Sequence, residues 1–186
     1  MLEEAKKIFE KNKDIKYGWK SKKDGKYYNH ISEGLSKNFS FQSNEEIEKN
    51  RIGICWETVE INRYYLQKAN IPCKTYFFVV PAQSFYCHSV LVFQDKDKFY
   101  WMESSFKELI GIREYKSLKD LFYDVLDNFD KITHIKKTNF KNLKIYDYNS
   151  PNPGIGCVQF YFHCFRGKNI TKDYLPKYIK LIDEKK

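Results

Sequence analysis

Three residues in order along the chain, Cys55, His88 and Glu103, have the side chains that thiol-based acyl transfer needs. A thiol attacks as thiolate, an imidazole takes and returns its proton, and a carboxylate holds the ring in a usable orientation. Residue types alone select nothing, because five cysteines and four histidines make 5 × 4 = 20 pairs. The selection comes from where each residue sits.

Cys55 lies in "RIGICWETVEINRYYLQ", where a glycine-broken loop meets a helical pattern. Cys55, Val59, Asn62 and Leu66 share one stripe, with no proline or glycine before Pro72. A cysteine opening a helix faces unpaired backbone N–H groups and the positive end of the dipole, which favours thiolate. His88 opens the strand "HSVLVF" and Glu103 closes "KFYWME", with the turn "DKDK" between them. Such an antiparallel hairpin makes His88 and Glu103 cross-strand neighbours, so Glu103 orients the ring, His88 acts as base and Cys55 attacks an acyl carbon. A neighbouring imidazolium is expected to lower the thiol pKa below about 8.5 and to have its own raised. The plainer alternative is a polar histidine at a strand edge and a glutamate that caps the sheet.

The other thiols read differently. Cys157 and Cys164 fall in the strand-like, aromatic "CVQFYFHCF", and Cys73 follows Pro72 in a connection, so packing roles are expected for all three. Cys87 precedes His88, and alternation along a strand aims the two at opposite faces. There is no C-x-x-C and no paired histidine spacing, so no metal site is expected; nor is any cofactor, and there is no glycine-rich phosphate loop.

The surrounding pattern is α+β. Leu2, Ala5, Ile8 and Phe9 mark a helix over Leu2 to Lys13, and Ser43 with Glu46 forms a capping box. Lys74 to Val80, His88 to Gln94 and Lys98 to Glu103 read as strands. Ser117 caps a helix striped by Leu118, Leu121, Phe122, Val125, Leu126 and Phe129, "YNSPNPGIG" is a long turn, and "TKDYLPKYIKLIDEKK" is a closing helix. No linker or repeat divides the 186 residues, so one domain is expected over 1–186, with its motif-bearing core at about 43–106.

Composition excludes several classes. Hydrophobic residues at 42% and aromatic residues at 18% rule out a disordered chain. The net charge of +9 comes from dispersed lysines, and runs such as "EEAKKIFEKNK" read as solvated helix faces, so no specific nucleic-acid site is expected. No segment has the length of a membrane span or the apolar core of a signal peptide, and the odd cysteine number fits a reducing compartment; a cytoplasmic location is expected.

Together "GICWETVEINRYYLQKANIPCKTYFF", "CHSVLVF" and "KFYWMESSF" resemble the transglutaminase-like domain of the papain-like cysteine peptidase superfamily, over about Arg51 to Phe106. The resemblance implies a nucleophile helix packed on an antiparallel sheet and acyl transfer through a thioester on a peptide or other amide-bearing substrate. By position Cys55 matches the nucleophile, His88 the base and Glu103 the acid, with Glu where Asp is commoner. It also implies an oxyanion hole completed by an upstream side chain, for which Trp19 in "KYGWK" offers an indole donor; the alternative is an aromatic staple for the N-terminal loop.

"RIGICWE" also resembles the Arg-Gly-Gly-x-Cys-x-Glu opening of arylamine N-acetyltransferases, with Arg51 and Glu57 matching and Ile52 replacing a glycine. The chain is short for that family's third domain and shows no coenzyme A site. A reading from another class is a catalytically inactive module whose aromatic groove binds a peptide or acidic partner.

Overall fold

The computed structural model describes residues 1–29, 33–81, 86–133, 140 and 142–183. Along the chain run α1 (Leu2–Asn12), β1 (Lys16–Tyr17), β2 (Trp19–Lys20), β3 (Tyr27–Tyr28), α2 (Glu33–Asn38), α3 (Asn44–Asn50), β4 (Ile52–Gly53) and α4 (Cys55–Lys68). There follow β5 (Cys73–Val79), β6 (Cys87–Asp95), β7 (Lys98–Glu103), a 3-10 turn (Lys107–Leu109), β8 (Gly111–Tyr115), α5 (Leu118–Thr133), β9 (Lys144–Tyr148), α6 (Cys157–Phe165), β10 (Lys168–Asn169) and α7 (Thr171–Asp183). The expected α+β class is observed.

Six strands form one sheet in the order β10-β9-β5-β6-β7-β8, with every neighbouring pair antiparallel. The sheet grows from the β6–β7 hairpin, which closes at Asp95 opposite Lys98 with Lys96 left-handed at φ 56°. Alternation then sorts the side chains. Phe78, Val90, Val92 and Trp101 pack against Phe122, Val125 and Phe129 of α5 and Tyr178 of α7. On the opposite face Leu91, Phe93 and Met102 meet α1 and α4, while Phe77 and Val79 meet Trp56 of α4 and Phe160 of α6. The sheet is therefore covered on both faces, and α4 lies against one of them.

Two sequence-read caps are present: Ser43 Oγ accepts from Glu46 N–H while Glu46 accepts from Ser43 N–H, and Ser117 Oγ accepts from Asp120 N–H at 3.1 Å. "CVQFYFHCF" corrects the expectation of a strand, because it is α6. Gly156 N–H donates to Gln159 Oε1 at 2.7 Å, closing the first turn. Cys157, Phe160 and Cys164 are buried at helical spacing while Val158 and Phe162 are exposed. Aromatic content misleads here, since the rings serve helix-on-sheet packing. Phe160 stacks on Trp56 with centroids 4.2 Å apart and on Phe41 at 5.7 Å, which ties α6 to the first turn of α4. Such pairs add roughly 0.5–1.5 kcal/mol beyond burial. Among the described residues no helix is long and apolar enough to cross a membrane.

Candidate active site

The start of α4 is fixed by a buried carboxylate. Glu57, the third residue of the helix, accepts from Ile54 N–H at 3.2 Å through one oxygen and from Gln42 N–H at 2.9 Å through the other. Gln42 also donates its side-chain amide to Ile52 O at 3.0 Å, and β4 pairs in parallel with β1, so the strand leading into Cys55 is held on two sides. Burial pushes the Glu57 carboxyl up to about 7, against the opposing pull of the donors from Gln42 and Ile54.

The folded pKa of Glu57 lies above its unfolded value near 4.3, so the folded chain holds the extra proton and stability falls as pH rises from about 4.3 through 7. That window is worth roughly 4 kcal/mol. Glu57→Gln, which keeps an acceptor, should remove this part of the pH dependence. Urea denaturation at pH 4.5, 6 and 8 reads it; identical slopes for the two proteins would refute a buried, titrating Glu57.

His88 and Glu103 meet where the hairpin opens. The β6–β7 register ends at Leu91 opposite Met102, whereas β7 stays paired with β8 up to Glu103 opposite Gly111. Continued one step, the β6–β7 register sets Glu103 against Val90, which makes His88 its diagonal neighbour. The side chains span that gap: His88 Nε2 lies 2.7 Å from Glu103 Oε2, and each residue is only 2% exposed. Glu103 Oε1 accepts from Ser105 N–H and Oγ, both at 2.8 Å, and from Phe106 N–H at 3.0 Å. The glutamate does reach, and the turn after β7 holds its carboxylate.

Burial is the largest single influence on both partners and disfavours their charges, but their attraction and the hydrogen bonds around them together outweigh it. The Glu103 carboxylate, its hydrogen bond and the neighbouring Cys55 sulfur raise the imidazole to about 10, while the His88 charge and the N–H groups of Ser105 and Phe106 hold Glu103 at about 2. The resting pair is imidazolium and carboxylate.

Cys55 completes the line. The His88 imidazole and the Ser89 N–H both lie near enough to its thiol to favour the charged form. With Nε2 turned to Glu103, Nδ1 is the ring nitrogen left for the sulfur. The structure thus brings Cys55, His88 and Glu103 together. One expectation is reversed: burial pushes the Cys55 thiol up, outweighing the pull of His88 and of the Ser89 amide. A thiol 6% exposed loses more hydration on ionising than the dipole and imidazolium return.

Burial likewise raises the other four thiols, Cys73 and Cys157 to about 11 and Cys87 to about 12. Cys87 does turn away from His88, its sulfur 3.1 Å from Tyr161 Oη of α6.

Cys55 and His88 line a cleft of about 480 Å³, also walled by Tyr17, Tyr86, Phe106 and Ile132 with Lys107 and Glu108, while Glu103 is buried off its lining. Trp19 is 1% exposed, stacked on Tyr28 at 4.9 Å, in the apolar cluster that also holds Cys55 and Trp56. It does not line the cleft. Sequence reasoning missed Tyr17 and the Ser105–Phe106 turn; for the turn, the "ESSF" after the strand was a usable signal, since small hydroxyl residues after an acid commonly fold back on it. Among the described residues no three His, Cys, Asp or Glu side chains group as a metal site.

No family model matches the chain, and no curated protein matches it.

Proposed function

We propose that this protein is a thiol-dependent enzyme that transfers or hydrolyses the acyl group of an amide or peptide through Cys55, His88 and Glu103. The observation that carries the reading is the buried His88–Glu103 pair at 2.7 Å with Cys55 and His88 together on the wall of a cleft large enough for a substrate. The same reading aligns the chain with transglutaminase-like proteins of the papain-like superfamily, supported by a cysteine that opens a helix lying on an antiparallel sheet and by a histidine and an acid on successive strands. Five unpaired thiols suit a cytoplasmic setting.

The steps follow from the resting charges. Cys55 loses its proton to solvent and, as thiolate beside the His88 imidazolium, attacks the acyl carbon; the oxygen takes the negative charge. Cys55 N–H, a first-turn donor without an i−4 acceptor, is the backbone donor for that oxygen; Trp19, buried away from the cleft, fits the aromatic staple for the N-terminal loop better than an oxyanion donor. Collapse breaks the C–N bond, the amine leaves with the His88 proton, and a thioester remains. Neutral His88 then takes a proton from water or an acceptor amine as it attacks, and the thiolate departs.

Incubation with p-nitrophenyl acetate tests this. The wild type should carry one acetyl group on Cys55, located by peptide mapping and released by neutral hydroxylamine, and Cys55→Ala should carry none. An adduct spread over several cysteines, or one that resists hydroxylamine, would overturn the reading. Trp19→Phe, which keeps the stack on Tyr28, should leave the acylation rate unchanged, and a loss on the order of 100-fold would instead make the indole an oxyanion donor.

A further inference from the structure

A second cavity, of about 470 Å³, opens towards the other end of α4. Its wall includes Arg63, eight residues after Cys55 and so roughly 12 Å further along the helix axis. It shares no lining residue with the cleft at the thiol.

Its charge is unusual. Arg63, Lys74, Arg166 and Lys168 line it against one carboxylate, Asp147, an excess of 4 − 1 = +3. Two cations are compensated: Lys74 Nζ lies 2.8 Å from Asp147 Oδ2, and Arg63 pairs with the buried Glu60 behind the wall. Arg166 and Lys168 at the rim, both exposed, carry the remaining +2.

The wall is also built rather than incidental. Arg63 is 3% exposed, its Nη1 donates to Thr75 Oγ1 at 3.1 Å, and its buried Nε has no hydrogen-bond acceptor among the described residues. Between the two rim cations stands Gly167, where a Cβ would lie 2.2 Å from Asp147 O and 2.9 Å from Cys164 O. Only glycine lets this turn press onto β9, and that contact brings Arg166 and Lys168 to the side of Lys74.

We propose that this cavity binds a small phosphate monoester, its phosphate held between Arg166, Lys168 and Lys74. A monoester carries about −1.5 to −2 charges at pH 7, which matches the uncompensated +2, and a guanidinium can grip two of its oxygens. The space exceeds what phosphate alone fills and lies in the usual range for small-molecule sites, so the organic group occupies the inner wall beside Arg63.

Calorimetric titration at fixed ionic strength tests this with phenyl phosphate and inorganic phosphate as probes. Wild type should bind one phenyl phosphate saturably, and more tightly than inorganic phosphate. Arg166→Gln combined with Lys168→Gln, at exposed positions where folding is not at stake, should weaken binding at least tenfold; Cys55→Ala should leave it unchanged, so failure of the acyl-transfer reading would not be mistaken for failure of this one. Absence of saturation, equal affinity in the double variant, or inorganic phosphate binding as tightly as the monoester would each overturn the proposal.

Discussion

Glu103→Ala should destabilise the protein by about 3–5 kcal/mol at neutral pH, because it leaves a buried imidazole and three donors of the Ser105–Phe106 turn without their acceptor. Glu103→Gln is the finer experiment. It keeps an oxygen for the turn but removes the charge that holds His88 at about 10, so His88 should titrate far lower and be neutral at pH 8.

The linked stability has a definite sign. His88 has a folded pKa above its unfolded value near 6.5, so its contribution is complete below 6.5 and lost as pH rises through 10. Glu103 has a folded pKa below its unfolded value near 4.3, so its contribution is present above 4.3 and lost as pH falls through 2. The pair's own contribution should therefore be greatest between about pH 4.3 and 6.5, superimposed on the fall that Glu57 causes there, and Glu103→Gln should flatten both of the pair's flanks. Denaturation across pH, with the His88 ring followed by NMR, reads both effects; an imidazole still charged at pH 8 in Glu103→Gln would show that something other than Glu103 holds its proton.

His88→Ala should slow thioester formation by 10²–10⁴-fold, the usual loss for a positioned acid–base group. It also removes the largest influence that keeps the buried thiol from rising further. In wild type, thiolate absorbance and iodoacetamide alkylation at Cys55 should both have midpoints above the free-thiol value of about 8.5, yet alkylation should reach Cys55 before Cys87, which is pushed up to about 12. His88→Ala should move the Cys55 midpoint higher still. A midpoint below the free-thiol value would mean that the imidazolium outweighs burial; an unmoved midpoint in His88→Ala would remove the imidazole from the mechanism.

Much of this arrangement was legible because it depends on short-range pattern. The stripe from Cys55 to Leu66 marks a helix, and "DKDK" between two apolar runs fixes which residues of the hairpin approach each other. What was not legible depends on tertiary partners. The thiol pKa was expected to fall because sequence shows the helix start and the imidazole but not the burial that opposes them. "CVQFYFHCF" reads as a strand until Trp56 and Phe77 are known to receive one side of it. The edge strands β8 and β10 are short, and no periodicity in them stands out against their flanks.

The order of the three residues along the chain has a consequence during synthesis. Glu103 follows Cys55 by 48 residues, so at 5–20 residues per second the ribosome delivers it roughly 2–10 seconds after the thiol. Through that interval Cys55 emerges with its helix but without the hairpin that carries its proton partner and its carboxylate. The nascent thiol is then an ordinary cysteine, and the buried grouping with His88 and Glu103 arises only when the β6–β7 hairpin closes against α4. A chain stalled or cut before Glu103 would release a protein that has the thiol but lacks the carboxylate that charges His88.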